Sequence, residues 1–341
     1  MAPAPPTLTV VMVAYGAEPW LEPAVDAVLA SHDVTVDVVL VDNGCTDGAT
    51  DRLRGRDGVK VVDAGANLGF AGGCNLGASR ASGDVIALIN SDAKAAPRAL
   101  AALAAAGLRD GVGIATGSVR LADNPDLVNS AGNEIHCSGV SWSGGFEEPA
   151  TAHAVARPVF AASGCALAMR RSLWHELGGF DADFFGYYED ADLSIRTWQR
   201  GLEVVYVPDA IVVHRYEFSR RAEKYFLLER NRLFMVASCY EARTITLLLP
   251  LLLVLEAGFF VLALREGWWR QKLRSWRWLV RNRSRVAARR VEVQRARRVP
   301  DRDLVHLFCD DLLPGNIDVP AWWPAVNRPI RWYWVTVRRW L

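Results

Sequence analysis

Three features are missing from this 341-residue sequence: paired cysteines, a net charge and an apolar leader. The six cysteines are scattered without a CxxC pair, so we expect free thiols in a reducing compartment rather than a disulfide framework or a zinc finger. A formal net charge of +1 at pH 7 indicates no class of partner. The opening MAPAPP has no basic segment followed by an apolar one, so residues 1–6 are predicted to be a disordered tail and not a secretory signal. We expect a cytoplasmic domain to follow.

The sequence does contain a regular alternation of apolar runs and helix-compatible segments. Runs rich in Val, Ile and Leu predict strands at 8–14, 34–41, 59–62, 85–89, 160–170, 202–207 and 210–213. The remaining pattern predicts loops with short strands over 111–145, and helices at 19–30, 50–56, 69–81, 97–108, 189–200 and 221–241. Strands alternating with helices at this spacing predict an α/β fold with a doubly wound, mostly parallel sheet.

Polar residues follow three of the predicted strands directly. They are Tyr15-Gly16, Asp42-Asn43-Gly44 and Asn90-Ser91-Asp92. In open α/β sheets a ligand binds beyond the carboxyl ends of the strands. The three clusters therefore predict a ligand site at one edge of the sheet.

Asp92 is a candidate metal ligand because it stands where a nucleotide-binding fold places its ligand. A carboxylate there could hold a divalent cation that neutralises the charge of a diphosphate. The structural alternative is an aspartate that caps the next helix. His214 follows an apolar strand, and a neutral imidazole could complete a metal site with Asp92 and a diphosphate. A lone histidine is otherwise most often structural.

Three carboxylates lie within four residues at the start of a predicted helix, where the helix dipole partly compensates their charge. Asp192 is spaced to pair with Arg196 at i+4, which is a structural role. Glu189 and Asp190 remain for chemistry. A carboxylate within reach of an acceptor hydroxyl acts as a general base.

The segment NLGFAGGCNLG, residues 67–77, is rich in glycine before a helix, which lets backbone N–H groups approach a ligand closely. Its glycine spacing and its position after the third strand both count against a dinucleotide fingerprint.

The C-terminal third differs in composition from the rest. An apolar run at 244–264 is about long enough to cross a bilayer but contains Pro250 and Glu256. Residues 265–298 hold thirteen Lys or Arg against two acidic residues, and nine of the thirteen Trp lie at or after Trp268. This pattern predicts an interfacial helix on an anionic membrane. A packed helical subdomain with a solvated basic face, a true membrane span and nucleic-acid binding are the alternatives.

Four segments resemble the family 2 glycosyltransferases, and more narrowly their bacterial rhamnosyltransferase-like branch. They are VVMVAYG (10–16), VDNGCTDG (41–48), NLGFAGGCNLGASRASGDVIALINSDA (67–93) and GCALAMRRSLWHELGGFDADFFGYYEDADLSIRTWQRG (164–201). The resemblance implies a GT-A fold and inverting transfer of a sugar from a nucleotide-diphosphate donor. The expected domains are 7–235 for the glycosyltransferase and 236–341 for a helical, membrane-associating extension.

The resemblance also implies donor-binding roles. Ala14 and Tyr15 match the loop beneath the nucleotide, and Asp42 matches the carboxylate that recognises the pyrimidine N3–H. Asn67, Gly69 and Asn75 match the loop and helix that flank the ribose and diphosphate.

The remaining matches concern the metal and the chemistry. Asn90 stands at the first position of the family's DxD motif and counts among the donor-binding residues, while Asp92 stands at the last. Asp190 matches the catalytic base of the ED motif, preceded by Glu189. His214 resembles the metal-binding histidine after the last core strand.

Several partners follow from the resemblance. It implies Mg²⁺ or Mn²⁺ as cofactor, dTDP-L-rhamnose or a UDP-sugar as donor, and a polyprenyl-diphosphate-linked saccharide or another glycan as acceptor. The expected context is cell-wall or surface polysaccharide synthesis at the cytoplasmic face of the membrane, with no nucleic-acid partner. One alternative, a nucleotidyltransferase, would need a Gly-rich loop with Arg or Lys after the first strand, where this sequence has AYGAEPWLEP. The other is a catalytically degenerate GT-A scaffold or carbohydrate-binding protein.

Overall fold

A computed structural model describes residues 6–216, 222–313 and 323–341. The predicted tail, apart from Pro6, lies outside these residues. Within them the chain separates into two compact units. The first is named the catalytic unit because it contains the expected catalytic residue Asp190, and it comprises 6–133, 143–197 and 202–216. The second, the helical unit, comprises 134–142, 198–201, 222–313 and 323–341. The predicted domain boundary at 235/236 stays a prediction.

The strands are β1 (Thr7–Gly16), β2 (Thr35–Cys45), β3 (Val59–Asp63), β4 (Val85–Ile89), β5 (Ala93–Ala95), β6 (Val112–Leu121), β7 (Val128–Ser130), β8 (Asn133–Ile135), β9 (Ser141–Ser143), β10 (Arg157–Pro158), β11 (Ala166–Arg170) and β12 (Glu203–His214). The helices are α1 (Leu21–Leu29), α2 (Ala49–Arg52), α3 (Gly69–Ala78), α4 (Ala99–Gly107), α5 (Arg171–Leu177), α6 (Glu189–Gln199), α7 (Ala222–Cys239), α8 (Ala242–Glu266), α9 (Trp269–Arg281), α10 (Arg283–Ala296), α11 (Asp301–Leu304) and α12 (Trp323–Val337).

The main sheet has the strand order β10-β12-β6-β11-β4-β1-β2-β3, with β5 beside β12 and β7 beside β6. The β1–β2, β2–β3, β1–β4 and β6–β12 pairs are parallel, whereas β11 runs antiparallel to β4 and β6. The predicted α/β class with a mostly parallel sheet is confirmed. Because β11 is reversed, its first residue pairs with the last residue of β4, Ala166 with Ile89. The start of β11 therefore lies at the same edge as the carboxyl ends of its neighbours.

The core of the sheet follows from the apolar runs in the sequence. All five residues of β4 are buried, as expected for a strand covered on both faces. The Ala-rich helix α4 buries Leu100, Leu103 and Ala104 in this core. Small side chains on this helix let its backbone approach the sheet closely.

The expectation of loops and short strands over 111–145 was wrong for its first part. Residues 112–121 form β6, a ten-residue strand in the middle of the sheet whose first nine residues are buried. Its glycines serve packing and not turns, because a Cβ on Gly113 would lie 2.3 Å from Thr197 Cγ2 and one on Gly117 2.7 Å from the carbonyl oxygen of Ala210.

Two further strand boundaries differ from the prediction. The segments 202–207 and 210–213 form one strand, β12, whose register against β6 shifts between Val207 and Ile211. The Pro208-Asp209 pair is thus accommodated as a bulge within a strand and not as a turn between two strands. The strand predicted at 160–170 begins only at Ala166. Gly201, the glycine predicted to end helix α6 before β12, has φ +79°, as expected for a glycine just after a helix.

Helices α7 to α12 make up most of the helical unit. The predicted helical region is confirmed, although the expected helical start at Arg221 lies outside the described residues. Helix α8 has 25 residues and includes Pro250. Within the described chain it is the one helix that is long and apolar enough to cross a membrane, and about a quarter of its most apolar window (28%) is buried.

Candidate active site

Polar side chains gather at the carboxyl edge of the main sheet, where the sequence placed them. Asp92 follows β4, and His214 ends β12. Strand β5 pairs antiparallel with β12, matching Ala93 with His214, so that the residue before Ala93 comes beside the imidazole. His214 Nε2 lies 3.2 Å from Asp92 Oδ1. The two predicted metal ligands are therefore neighbours although 122 positions separate them (214 − 92).

A second contact orients the His214 ring. Its Nδ1 lies 2.9 Å from Asn129 Oδ1, so a ring that donates from Nδ1 turns Nε2 toward Asp92. Burial lowers the pKa of His214, but Cys165 and Asp92 raise it more strongly, to about 11. Without a cation, the imidazole is a proton donor to Asp92. A metal ion bound there would take the place of that proton.

The donor atoms around this pair suit a hard divalent cation. Asp92 offers carboxylate oxygen and His214 imidazole nitrogen, and the Oδ1 atom of Asn90 is buried without a hydrogen-bond partner among the described residues. The chain as described holds no group of three or more His, Cys, Asp or Glu side chains with metal-site geometry. A cation bound here would thus need further ligands, which the oxygens of a diphosphate can supply.

Asp190, the predicted base, is held in one orientation by three donors. Its Oδ2 accepts from Asn133 Nδ2 at 3.1 Å and from the Gly164 amide at 2.9 Å, while its Oδ1 accepts from the Ala191 amide at 2.7 Å. Burial raises the pKa of Asp190, and these hydrogen bonds partly offset that increase. A partly desolvated carboxylate with a raised pKa is a better proton acceptor than one in water.

Glu189 occupies a different environment from its neighbour. Its side chain is 5% exposed, and Oε2 is buried without a hydrogen-bond partner in the part of the chain described. Burial, and then the charge of Asp190, raise the pKa of Glu189 well above its ordinary range. Glu189 therefore gains a proton more readily than an exposed glutamate does. The expected structural pair is present, with Arg196 Nε 2.8 Å from Asp192 Oδ2.

The base and the metal pair meet at the start of β11. Gly164 donates its amide to Asp190, and the next residue, Cys165, faces the His214 imidazole. The Cys165 carbonyl also accepts the Asn90 amide at 3.1 Å. A short run of backbone thus connects the side chains that the sequence distributed over three distant segments.

The loop before α6 is strained. Phe185, Tyr187 and Tyr188 have φ of 62°, 67° and 73°, a conformation uncommon for residues other than glycine. Phe185 and Tyr187 are also exposed, at 39% and 41%. Because such backbone strain concentrates at functional sites, this loop is a candidate wall for a ligand next to Asp190.

The nucleotide end of the predicted site is built by β1 and β2. Ala14 is fully buried and pairs with Asp42, while Tyr15 is 59% exposed. Partial burial raises the pKa of Asp42, but hydrogen bonds from the Thr50 hydroxyl at 2.5 Å and from two backbone amides outweigh it, so the pKa lies below its ordinary value. Asp42 is thus an ionised acceptor at physiological pH.

The glycine-rich segment is fastened to β2 by Asn43. Its side chain donates to Asn67 Oδ1 and to the Gly69 carbonyl, both at 3.2 Å, and accepts the Leu68 amide at 2.8 Å. Gly69 has φ +71°, and a Cβ there would lie 2.2 Å from the Phe185 carbonyl oxygen. Only glycine fits this position.

Asn75, expected to flank the donor, uses its amide on the backbone. It donates to the Phe180 carbonyl at 2.7 Å and accepts the Phe180 amide at 3.0 Å. This pair of bonds joins α3 to the chain ahead of α6. A donor contact by Asn75 stays a prediction.

Three asparagines hold predicted site residues in place: Asn43, which the sequence analysis named only as part of a polar strand end, and Asn129 and Asn133, which it missed. Asn43 carried a signal, because it stands beside Asp42 at a strand end. Asn129 and Asn133 lie in the segment interpreted as loops, where no periodicity marks a side chain that will point into a site.

The structure resembles glycosyltransferases that have been solved with their ligands. The crystal structure of GalNAc-T7 with UDP, GalNAc and Mn²⁺ aligns with a TM-score of 0.57 at 18% identity, over 70% of this chain and 48% of that one. The mannosyltransferase PcManGT from Pyrobaculum calidifontis, in complex with GDP-Man and Mn²⁺, aligns with a TM-score of 0.51 at 15% identity, over 98% of this chain and 86% of that one. The fold is GT-A, as the sequence predicted.

Sequence similarity places the chain more narrowly. The profile of Glycosyl transferase family 2 matches residues 9–178. The N-acetylglucosaminyl-diphospho-decaprenol L-rhamnosyltransferases of Mycobacterium tuberculosis strains CDC 1551 / Oshkosh and ATCC 25618 / H37Rv are each 30% identical over 234 residues, which is 61% of this chain and 75% of theirs. The chain belongs to glycosyl transferase family 2 and is a rhamnosyltransferase-like glycosyltransferase.

Proposed function

We propose that this glycosyltransferase moves a sugar from a nucleotide-diphosphate donor to a lipid-linked saccharide by a single displacement with inversion. The observation that carries the proposal is the position of Asp190. Its carboxylate is held by three donors, one of them Gly164, and the residue after Gly164 faces His214. One base on one side of the reacting carbon and a diphosphate site on the other suit a direct displacement.

Asp190 acts as the general base. It accepts the proton of the acceptor hydroxyl while the hydroxyl oxygen forms a bond to the anomeric carbon and the bond from that carbon to the diphosphate oxygen breaks. The electron pair of the broken bond leaves with the nucleoside diphosphate. Glu189 is a buried positioning residue beside Asp190, and burial and the charge of Asp190 raise its pKa well above the ordinary range.

Asp92 and His214 would hold a divalent cation, Mg²⁺ or Mn²⁺, with Asn90 nearby. A cation bound there supplies charge neutralisation for the leaving diphosphate. The unpaired buried Oδ1 of Asn90 supports a polar ligand at this position. The chain's own part is to orient these donors, which Asn129 does for the imidazole.

The ionised Asp42 is positioned to accept the N3–H of a pyrimidine, with Ala14 and Tyr15 beneath the base and Asn67 and Gly69 beside the ribose and diphosphate. A pyrimidine preference favours dTDP-L-rhamnose, with UDP-sugars as the second choice. The acceptor proposed is a polyprenyl-diphosphate-linked saccharide. Support comes from the mycobacterial relatives, whose name gives an L-rhamnosyl transfer to N-acetylglucosaminyl-diphospho-decaprenol.

A lipid-linked acceptor requires the enzyme to work at a membrane. The basic, Trp-rich helical unit supports residence at the cytoplasmic face, where nucleotide sugars are made. We keep 7–235 as the proposed glycosyltransferase domain and 236–341 as the proposed membrane-associating extension.

A donor screen followed by product analysis tests the proposal. The purified full-length chain is heated with a panel of dTDP-, UDP- and GDP-sugars, each with and without Mn²⁺. We expect dTDP-L-rhamnose to raise Tm most, and to raise it more with Mn²⁺ than without it. The preferred donor is then incubated with a diphospho-polyprenol-linked saccharide, and the anomeric configuration of the product is read by NMR.

Two outcomes would overturn the proposal. A product with the donor's own anomeric configuration contradicts a single displacement. Equal stabilisation by all the nucleotide sugars contradicts the pyrimidine site at Asp42.

A further inference from the structure

The helical unit buries a cluster of charges between α7, α8 and α9. Lys272 is fully buried and Arg232 is 2% exposed, and both contact Glu229 and Glu256. Lys272 Nζ lies 2.8 Å from Glu256 Oε2, which also accepts from Trp276 Nε1 at 2.6 Å. The glutamate in the middle of the apolar helix is therefore neutralised inside the unit.

The outward side of the same helix is apolar. Between Arg243 and Arg265 it carries no charged residue except Glu256, and that side chain points inward to the cluster. The exposed large side chains are Leu249 (47%), Leu253 (61%), Val254 (67%), Val261 (49%), Leu262 (42%) and Leu264 (51%). Charges inside and leucines outside are the reverse of what water favours. This arrangement is expected where the surroundings are hydrocarbon.

An upright membrane span does not fit the neighbours of α8. At about 1.5 Å per residue its 25 residues are long enough to cross, and Glu256 lies two residues from the centre. Lys272 and Trp276 of α9 contact Glu256, so this part of α9 lies beside the middle of α8. Arg277, the next residue, is exposed, as are Arg270 and Arg281 on the same helix. A spanning α8 would carry Arg277 toward the bilayer centre, where its guanidinium would have no hydration.

The borders of the apolar side carry groups suited to lipid headgroups. Where α8 begins, Ala242 and Ile245 line a groove of about 630 Å³ together with Arg283, which is exposed. Helix α12 packs beside α8, with the Tyr333 hydroxyl donating to the Leu247 carbonyl at 2.7 Å. Exposed tryptophans and arginines prefer the headgroup depth, the arginines toward lipid phosphate.

We propose that α8 lies in one leaflet of an anionic membrane, with its outward side in the hydrocarbon and both of its ends on the same side of the bilayer. The buried cluster makes this possible, because it lets the helix keep Glu256 without exposing it to lipid. The proposal deepens the membrane association contained in the proposed function and rests on it. It states which surface inserts and that the helix does not cross.

Vesicle flotation tests the inserting surface. The full-length chain is floated with vesicles of phosphatidylcholine and phosphatidylglycerol. Leu253→Glu and Val254→Glu each place a charge on the outward side of α8 and should lower vesicle binding by about tenfold or more. The matched control is Val155→Glu on the catalytic unit, where Val155 is 74% exposed, and it should bind as the unmodified chain does. Undiminished binding of both α8 variants overturns the proposal.

Topology is determined on the chain without substitutions, so the result does not depend on how a variant folds. Epitope tags at the two termini are probed with protease in sealed, inverted membrane vesicles. We expect both tags to be cleaved, because both lie outside. Protection of the C-terminal tag alone would mean that α8 crosses, and the proposal would be wrong.

Activity separates this proposal from the proposed function. Transfer from the donor to a short, water-soluble acceptor should be the same in Leu253→Glu as in the unmodified chain. Loss of vesicle binding with retained soluble transfer supports both proposals. If the unmodified chain floats as predicted but transfers no sugar, the proposed function fails while the membrane surface stands.

Discussion

The catalytic unit and the helical unit differ in where they carry their apolar side chains. In the catalytic unit the strands are apolar inside, and the carboxylates Asp92 and Asp190 stand partly exposed at the sheet edge. In the helical unit Lys272 and Arg232 are buried, while leucines of α8 face outward. The first pattern is typical of a protein in water with a ligand at one edge. The second indicates an exterior that is not water.

Both units nevertheless treat buried ionisable groups in the same way: such a group either has partners that stabilise its charge or has a pKa shifted toward its neutral form. Three hydrogen-bond donors offset part of the pKa increase that burial causes at Asp190, and Arg232, Lys272 and Trp276 hold the pKa of Glu256 below its ordinary value. Glu189 has a buried oxygen without a partner among the described residues, and its pKa is raised well above the ordinary range. The contrast between the units thus lies in which surface is apolar and not in how charges are tolerated.

The largest effect is expected at the catalytic edge. Asp190→Asn keeps the shape of the side chain, but it replaces one acceptor oxygen with an NH2 group and so loses at least one of the three hydrogen bonds. Because the amide cannot accept a proton, the turnover rate should fall by about 10³-fold. Binding of the nucleotide-sugar donor, measured by calorimetry, should be unchanged. Asp209→Asn, at an exposed aspartate on the β12 bulge, is the control and should turn over normally. Normal turnover in Asp190→Asn would remove this residue from the role of base.

Breaking the buried cluster tests the other side of the comparison. Lys272→Met leaves Glu229 and Glu256 with one cation fewer in a buried site, and the free energy of unfolding should fall by about 3–5 kcal/mol. Urea unfolding in the presence of vesicles measures it. Arg270→Met, at an exposed position of the same helix, should cost less than about 0.5 kcal/mol. Equal costs for the two substitutions would mean that the cluster does not hold the unit together.

A smaller effect is expected at Asp92, in the proposed site for a divalent cation. Asp92→Ala should weaken donor binding about 100-fold when Mn²⁺ is present and hardly at all without it, because only the cation-linked part of the affinity is lost. Calorimetric titrations with and without Mn²⁺ give both values. An equal loss under the two conditions would assign Asp92 a structural role and not a metal-binding one.

The smallest effect concerns the buried carboxyl group of Glu189. Burial, and then the charge of Asp190, raise the pKa of Glu189. A carboxyl group whose pKa is higher in the folded state than in the unfolded state contributes stability below its unfolded pKa, and this contribution is lost as the pH rises through the folded pKa. Glu189→Gln cannot titrate. Its unfolding free energy should therefore fall less than that of the unmodified chain as the pH rises above the ordinary pKa of a glutamate. Glu203→Gln, at an exposed glutamate, should follow the unmodified chain, and so should Glu189→Gln if Glu189 were ionised.

Much of the catalytic unit could be predicted from local sequence. The strand over 85–89 was predicted with its observed bounds, and the pairing of Asp192 with Arg196 was predicted from helical spacing alone. The polar strand ends could be read as a site because parallel strands bring their carboxyl ends to one edge. All of these depend on residues close together in the chain.

What failed depended on residues distant in the chain. Gly113 and Gly117 were interpreted as loop residues, yet they lie in a central strand. Glycine is needed there because Thr197 and the Ala210 carbonyl leave no space for a side chain. The neutralisation of Glu256 was equally invisible, since its partners come from two other helices.

By itself the sequence determined the alternation of strands and helices, the edge at which the polar residues collect and the family to which the chain belongs, because periodicity and motif are local properties. Only the tertiary structure decided that His214 meets Asp92, that Asp190 has three hydrogen-bond donors while burial raises the pKa of Glu189 much further, and that α8 turns its glutamate inward. These outcomes depend on which distant groups come within hydrogen-bonding distance and on how much water remains between them, and neither is written in any short stretch of the chain.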